Sequence, residues 1–395
     1  MIVALLLALL AAAVPACGGR EGGGETLLVG VLAGLSGPAA GAMGPAVKAM
    51  EDYLTLELPR SDHPLPGNLK VEFTHYDTGL DYFETMPGYL ELKDRGADLM
   101  VVMNPQDRDL LGDLPGEDGI PTIGTSGLQS RLADDWMLAL WSPAQSQAEV
   151  EMMFIRDDWD YEGTGRKPKV GHLGSNLRSS ECYQAGIETV LDASPGQFTW
   201  TTFEKGLLGN EAWGGQVSRL KDCDYIIVSV PGSMLSSFVA QARAGGCTGK
   251  LVSGLEGFPG FWPLVSDQVA SREQMNGCCY VAWWPWWNED VPLISACRDY
   301  VARTYEGLEA GDLSQTSPVI CGRELGLVLE EAIRRAIEQA GVEDLDGQAL
   351  QDGLRAQATA GGNCLEWSQR VFEYSAAEDA WEPAGTVYEP VLTRP

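Results

Sequence analysis

Short apolar runs rich in β-branched residues alternate along the chain with segments whose apolar residues recur every three or four positions. The first pattern is typical of buried strands and the second of amphipathic helices. In the first third of the chain this alternation predicts strands over 26–34, 69–77, 97–104 and 119–127. It predicts helices over 39–58 and 82–96. Strands and helices that alternate at this spacing indicate a parallel sheet covered by helices on both faces.

A second series of the same kind begins near residue 145. Its predicted strands cover 167–175, 197–204, 224–232 and 249–257. Its predicted helices cover 146–159, 179–193 and 233–246. The sequence therefore predicts a second doubly wound lobe that follows the first along the chain.

The last third of the chain is too short to fold alone, and we expect it to complete the two lobes. It is predicted to contain a strand after Gly277, helices over 292–306 and 317–340, another helix, and strands over 369–375 and 385–391. The predicted fold class is α/β, with two doubly wound parallel-sheet lobes joined by hinge crossovers. The predicted ranges are 26–142 and 277–345 for lobe 1, and 143–276 and 346–395 for lobe 2.

This architecture by itself favours a binding protein. In open α/β sheets, ligands bind beyond the carboxyl ends of the strands. Two such lobes that face each other form a cleft, and hinge motion closes the cleft on a ligand.

The N-terminus carries an export signal. The apolar run from Ile2 to Ala13 is shorter than the ~20 residues that span a bilayer, and it fits the apolar region of a secretory signal peptide. Val14-Pro15-Ala16-Cys17 resembles a bacterial lipobox, in which the cysteine is lipidated and becomes the new N-terminus. We expect a signal peptide over 1–16, a lipid on Cys17 and a glycine-rich tether over 17–25. Plain secretion is the alternative, because no Lys or Arg precedes the apolar run.

These signals place the protein in the cell envelope, outside the cytoplasm, and held at a membrane by its lipid anchor alone. The chain has 27 Lys and Arg against 56 Asp and Glu, for a formal charge of -29. That balance excludes nucleic acid as a partner, because phosphates require a basic surface. It also argues against a protein that lies flat on anionic lipid. We expect a soluble monomeric body.

The cysteine pattern indicates structural roles and not a metal-binding site. Eight remain besides Cys17, and an extracytoplasmic location permits disulfides whose pairing the sequence does not give. Adjacent Cys278 and Cys279 are expected on opposite faces of a strand. There is no CxxC pair, and the histidines at 63, 75 and 172 are isolated. We therefore expect no metal site and no cofactor.

Six segments stand in a characteristic order along the chain. They are VGVLAGLSGPAAGAMG, VEFTHYDTGLDYFET, GIPTIGTSG, SMLSSFVAQARAGG, VSGLEGF and LGLVLEEAIRRAIEQAG. In this order and spacing, over roughly residues 26–392, they resemble the type I periplasmic substrate-binding proteins of the branched-chain amino acid class. The resemblance implies that the protein captures a small polar solute, such as an amino acid or an amide, and delivers it to an ABC permease. Ligand-sensing input to a separate membrane signalling receptor is the alternative.

The same resemblance implies a set of ligand-binding residues. Ser36 lies in the first turn, Thr125 and Ser126 follow the Ile-Pro strand, Tyr183 matches a family tyrosine, and Glu256 matches the acid of a Gly-x-Glu-Gly loop. Hydroxyl and backbone N–H groups would hold a carboxylate, and the acid would hold an ammonium. Each residue also has an ordinary structural interpretation. A serine or threonine after a strand is commonly a helix N-cap, Tyr183 fits a helix core, and Glu256 fits a solvated loop.

The loop after the third strand departs from the family pattern. Family members have Gly-Pro-x-x-Ser there, whereas this chain has Asn104, Pro105, Gln106, Asp107 and Arg108. Asn104 and Gln106 are candidate readers of an amide or polar head group. Arg108 can meet a ligand carboxylate, or the Asp107–Arg108 pair can satisfy itself.

The segment YVAWWPWWNED, 280–290, carries four tryptophans around Pro285. Their aromatic faces can bind a flat or cationic ligand near the cleft mouth. A buried core or hinge plug is the interpretation that we favour.

Motifs for catalysis are missing from the sequence. The chain has no GxSxG elbow, no GxGxxG followed by an acid, and no GxxxxGK[ST] loop. We therefore expect a binding protein and not an enzyme.

Overall fold

Two separate β-sheets organise the chain. The computed structural model describes residues 26–126, 136–230, 232–254, 269–305, 318–356 and 368–393, together with Gly257 and Val265. The predicted signal peptide 1–16, the Cys17 anchor and the tether 17–25 lie outside the described residues, and so does Glu256.

The first sheet has five parallel strands in the order β2-β1-β3-β4-β5. The strands are β1 Thr26–Ala33, β2 Lys70–Asp77, β3 Leu99–Val102, β4 Thr122–Ser126 and β5 Met137–Trp141. β3 and β5 are buried along their whole length, as expected for strands covered on both faces. The sequence analysis missed β5, because a short run of Met, Leu and Ala fits a helix as well as a strand.

The second sheet has seven strands in the order β12-β11-β10-β9-β8-β6-β7. They are β6 Lys169–Ser175, β7 Thr199–Gly206, β8 Tyr225–Ser229, β9 Lys250–Ser253, β10 Cys278–Ala282, β11 Gln369–Ser375 and β12 Ala380–Tyr388. β6 to β10 run parallel to one another, and β11 and β12 form an antiparallel hairpin at the edge. The two-lobed α/β fold predicted from the sequence is confirmed, with this hairpin as an addition.

Helices cover the sheets. They are α1 Ala40–Asp52, α2 Thr85–Asp94, α3 Pro105–Leu111, α4 Leu114–Asp118, α5 Ala144–Asp158, α6 Tyr161–Thr164, α7 Arg178–Ala193, α8 Gly214–Leu220, α9 Gly232–Ala244, α10 Pro292–Thr304, α11 Pro318–Ala340 and α12 Gly347–Arg355. The predicted helix 39–58 is α1 followed by a π-helical segment, Tyr53–Glu57. α3, α4, α6 and α8 were not predicted, because so few residues show no helical period.

The tail of the chain is shared between the two sheets. β10 pairs with β9 and β11, so it extends the seven-stranded sheet. α11 packs on α1 and α12 packs on α11, so both helices cover the first sheet. These pairings correct the predicted lobe ranges in two places, 277–282 and 347–355, and the remaining boundaries stay predictions. Periodicity identified these elements, but it does not say which sheet each one joins.

The C-terminal segment is fastened to α5 by one buried carboxylate. Glu149 accepts the backbone N–H groups of Val391 at 2.8 Å, Leu392 at 3.0 Å and Thr393 at 2.9 Å. It also accepts the Thr393 hydroxyl at 2.7 Å. Charge-assisted hydrogen bonds of this number compensate for the burial of the charge.

The described cysteines are all buried. They are Cys182, Cys223, Cys247, Cys278, Cys279, Cys297 and Cys321. Cys278 and Cys279 belong to different hydrophobic clusters, which confirms their placement on opposite faces of a strand. Burial raises the pKa of the Cys278 and Cys297 thiols to about 12, which keeps them protonated and unreactive.

Two further properties concern membranes and metals. Within the described ranges, no helix combines the length and apolar character that crossing a bilayer requires. The same part of the chain contains no group of three or more His, Cys, Asp and Glu side chains that could hold a metal ion.

Candidate functional site

The carboxyl edges of the two sheets face each other. The 3-10 helix Gly37–Ala39, just beyond β1, contacts α9 of the second lobe. On the other side, α3, just beyond β3, contacts α7. The pKa of Arg178, the first residue of α7, is raised mainly by its hydrogen bond to Glu181, and Asp109 on α3 adds to the rise. The two carboxyl edges therefore meet at two places, and opposite charges lie on either side of one of them.

Asp77 holds the first turn of the cleft in place. Its carboxylate accepts the N–H groups of Leu35 at 2.8 Å, Ser36 at 3.0 Å and Gly79 at 2.9 Å. Desolvation raises the pKa of Asp77, but the hydrogen bonds from Ser36, Gly79 and Leu35 outweigh it, so the pKa is lowered. Ser36 is exposed and makes no N-cap hydrogen bond to the 3-10 helix that follows. Gly37 has φ +73° and lies against the Gly79 carbonyl, which leaves no room for a side chain.

The loop after β3 caps α3. Asn104 is 7% exposed, and its side chain accepts the Gln106 N–H at 3.1 Å as an N-cap. Asp107 is fully buried and accepts the Thr85 hydroxyl at 2.6 Å. Its partner is thus Thr85 on α2, so the predicted alternative of a self-satisfied Asp107–Arg108 pair is wrong. Burial raises the pKa of Asp107 to about 6, although the Thr85 hydrogen bond lowers it in part.

Two of the predicted residues follow the Ile-Pro strand. The backbone of Thr125 and Ser126 forms the end of β4, and Ser126 pairs with Trp141 of β5. The side chains of Thr125 and Ser126 lie outside the described part of the chain. Their backbone nevertheless reaches the same carboxyl edge as Ser36 and Asn104.

Tyr183 touches the strand end that leads to Glu256. Tyr183 is 1% exposed and donates its hydroxyl to Gln147 at 2.7 Å. A Cβ at Gly254, the residue after β9, would overlap both that hydroxyl and the Gln147 side chain. The Gly257 N–H bonds the Gly254 carbonyl at 3.0 Å. The absence of a side chain at Gly254 therefore allows this close contact with Tyr183.

The tryptophans form an aromatic cluster at the hinge. Trp283, Trp284, Trp286 and Trp287 are all buried. Trp141, where the chain leaves the first sheet, lies with its ring centroid 5.2 Å from Trp283 and 5.4 Å from Trp284. Its indole N–H donates to Glu324 on α11 at 2.7 Å. This burial supports the hinge-plug interpretation.

Sequence reasoning missed a polar network at the carboxyl edge of the second sheet. His172 Nε2 lies 2.7 Å from the Ser229 hydroxyl, and its Nδ1 lies 3.0 Å from Gln184 Oε1. Ser180 donates to the Ser229 carbonyl at 2.7 Å and lies 3.2 Å from the Ser175 hydroxyl. A serine at the end of each of β6, β8 and β9 was the signal in the sequence.

This network has the spacing of a nucleophile and a base but not their properties. Burial lowers the pKa of His172 to about 4, so the imidazole is neutral and weakly basic at physiological pH. Ser229 is 2% exposed, and its hydroxyl also reaches Ser180 at 3.1 Å. The arrangement therefore orders the serines at the cleft edge.

A model of the periplasmic binding protein family matches residues 26–364. The chain belongs to this family. Proteins of the family bind small solutes outside the cytoplasm and deliver them to ABC transporters. No curated protein matches the chain significantly.

Solved structures of periplasmic binding proteins share the fold at low sequence identity. A branched-chain amino acid ABC transporter protein from Thermus thermophilus with bound valine is 15% identical, with TM-score 0.79 over 94% of this chain and 98% of that chain. A fatty acid ABC transporter substrate-binding protein from Thermomonospora curvata is 14% identical, with TM-score 0.76 over 93% and 94%. A solute-binding protein from R. palustris in complex with benzoate is 14% identical, with TM-score 0.71 over 93% and 97%. These likenesses extend over both lobes.

Proposed function

We propose that this periplasmic binding protein captures a small polar solute, an amino acid or an amide-like molecule, in the cleft between its lobes. The observation that carries the proposal is the meeting of the two carboxyl edges, through α3 with α7 and through the 3-10 helix Gly37–Ala39 with α9. Ligands of α/β sheets bind at such edges, and two hinged edges enclose a ligand from both sides. An ABC permease receives the solute.

The proposed ligand-binding residues lie on both lobes. Ser36, Asn104, Gln106, Thr125 and Ser126 belong to the first lobe, and Tyr183 and Glu256 to the second. The contact of Tyr183 with Gly254 supports a shared site for Tyr183 and the Glu256 loop. The bonds from Asp77 to the first turn support a fixed position for Ser36.

We also propose that the mature protein begins at a lipidated Cys17. The support is the sequence: a signal peptide over 1–16 and a glycine-rich tether over 17–25. A lipid anchor would keep the binding protein beside its permease, which raises the local concentration of loaded protein. Labelling of the cells with a fatty acid analogue should mark the native protein and should not mark Cys17→Ser.

A thermal-shift screen tests the solute-binding function. The purified protein is screened against amino acids, amides, polyamines and aromatic acids. A solute that binds only the native state at a thousandfold excess over Kd stabilises it by about 4 kcal/mol. We expect one class to raise Tm and Glu256→Ala to abolish the rise, while the exposed control Glu162→Ala keeps it. An unchanged affinity in Glu256→Ala would show that the acid is assigned wrongly.

A further inference from the structure

Four polar side chains at the carboxyl end of β1 are almost fully buried, and two of them, Thr78 and Asp107, have an atom without a hydrogen-bond partner. The Thr78 N–H bonds the Ala33 carbonyl at 2.9 Å, and the Met103 N–H bonds the Leu32 carbonyl at 3.0 Å. These bonds place the turns after β2 and β3 on either side of β1. The side chains that follow are Thr78, Asn104, Gln106 and Asp107, which are 2%, 7%, 9% and 0% exposed.

Asp107 is the charged member of this group. Its Oδ1 accepts the Thr85 hydroxyl, and the Asn104 side-chain amide lies 3.4 Å from the same oxygen. Its Oδ2 is buried and has no hydrogen-bond partner, and neither has the Thr78 hydroxyl. A buried carboxylate oxygen without a donor is unfavourable, so a donor that reached Oδ2 would stabilise this group.

Other charged groups on the neighbouring elements are already engaged. Glu84 accepts the Tyr76 hydroxyl, Glu91 pairs with Arg95, Lys93 with Asp118, and Arg178 with Glu181. On α3 itself, Asp109 interacts with Arg178, and Arg108 is fully buried without forming an ion pair with Asp107. Among the described residues, none of these cations forms an ion pair with Asp107.

We propose that the first lobe binds a cationic N–H group of the solute, an amidinium, guanidinium or ammonium, through the free oxygen of Asp107. The inference rests on the proposed solute-binding function and reverses the polarity that the family resemblance implied for this loop. A solute carboxylate here would meet a buried carboxylate of the same charge, whereas an N–H cation satisfies Oδ2. The Thr78 hydroxyl, which is buried without a partner at the same end of β1, is available to accept or donate a further hydrogen bond.

Acid should weaken this interaction. The pKa of Asp107, raised to about 6 by burial, lies within the range that can be titrated without unfolding most proteins. Above that pH the carboxylate is ionised and attracts the cation, and below it the carboxyl is neutral. Affinity for a cation is therefore expected to fall as the pH drops through about 6.

Isosteric ligand pairs test the proposal. Calorimetric titration compares benzamidine with benzoate, and butylguanidine with hexanoate, because each pair keeps the body and changes the head group. We expect at least one cation to bind about tenfold more tightly than its carboxylate partner. Asp107→Asn, which keeps an acceptor for Thr85, should remove that preference, and the exposed control Asp94→Asn should keep it.

The wild-type pH profile gives a second readout that needs no variant. Between about pH 7.5 and about pH 5, the Kd for the bound cation should rise about tenfold or more, and in Asp107→Asn it should stay level. Circular dichroism and Tm establish that Asp107→Asn is folded. Binding of carboxylates alone, or an unchanged preference in Asp107→Asn, overturns the inference but leaves solute binding intact. If the protein binds neither these cations nor any solute of the broader screen, both proposals are wrong.

Discussion

Two buried glutamates on α5 differ in whether their carboxyl oxygens have hydrogen-bond partners. Glu149 gathers several hydrogen bonds from the C-terminal segment. Glu151, two residues further on, is 0% exposed, and both of its carboxyl oxygens lack a partner. Burial raises the pKa of Glu151 well above its usual value, so the group is held in its protonated form.

Replacement of Glu151 by glutamine should stabilise the protein at neutral pH. The folded-state pKa of Glu151 lies above the unfolded value, so the stability that the neutral carboxyl provides is complete below pH ~4.5 and is lost as the pH rises. Glutamine has nearly the shape of glutamate but does not ionise, so the variant avoids this loss of stability. We expect Glu151→Gln to gain about 1–3 kcal/mol at about pH 8, seen as a higher Tm, and to gain nothing at about pH 4.

An exposed residue provides the control for that measurement. Glu162→Gln, on the surface of α6, should leave Tm unchanged across the same pH range. Equal Tm values for wild type and Glu151→Gln at every pH would show that Glu151 has a partner or a route to water.

At the scale of elements, glycines bring the helices over the first sheet into close contact. A Cβ at Gly322 of α11 would overlap the Ala46 carbonyl of α1, and a Cβ at Gly353 of α12 would overlap the Ala332 carbonyl of α11. Backbones approach this closely only where no side chain intervenes. These glycines therefore hold the tail of the chain against the first sheet.

Gly322→Ala should destabilise the protein although alanine is the better helix former. Alanine improves helix propensity by about 1 kcal/mol, but the overlap with Ala46 forces α1 and α11 apart at a cost of about 1–3 kcal/mol beyond that gain. Denaturant unfolding measures the difference. Gly41→Ala, where a Cβ meets nothing within 4 Å, should be neutral or slightly stabilising. Equal stability of the two variants would contradict the close packing.

At the scale of the whole molecule, the lobes approach each other on both sides of the cleft. The hinge side is filled by Trp141, Trp283 and Trp284. Across the cleft, Asp109 of the first lobe and Arg178 of the second attract each other. Aromatic packing at the hinge and charge attraction at the mouth both favour a closed arrangement.

Charge reversal at Arg178 should favour opening of the cleft. The side chain is 55% exposed, so its attraction to Asp109 is worth at most ~1 kcal/mol. Arg178→Glu replaces this attraction by repulsion, and we expect up to about fivefold weaker solute binding at low salt. High salt should restore the affinity, because it screens exposed charges. Lys221→Glu, distant from the cleft edge on the turn after α8, should not change the affinity.

Much of the element order was accessible from the sequence. Continuous apolar runs identified β1, β3 and β8, because parallel strands are buried on both faces and need apolar residues at every position. The candidate residue Ser36 followed from the family resemblance of the turn after β1. Tyr183 and Glu256 followed from the family pattern.

The partners of buried polar groups were not accessible from the sequence. Asp107 is adjacent to Arg108 but bonds Thr85, which lies 22 residues away along the chain. His172 is isolated in the sequence, yet it lies beside Ser229 and Gln184. Side-chain direction and strand pairing bring these groups together, and neither has a local sequence signature.

The sequence by itself determined the α/β alternation and the position of the polar residues after the strands, because both depend on local periodicity. Only the tertiary structure decided that β10 joins the second sheet, that α11 and α12 cover the first, and that Asp107 is buried with a free oxygen. The physical reason is that pairing and burial depend on contacts between distant segments. The same local pattern is compatible with several of these arrangements until the chain has folded.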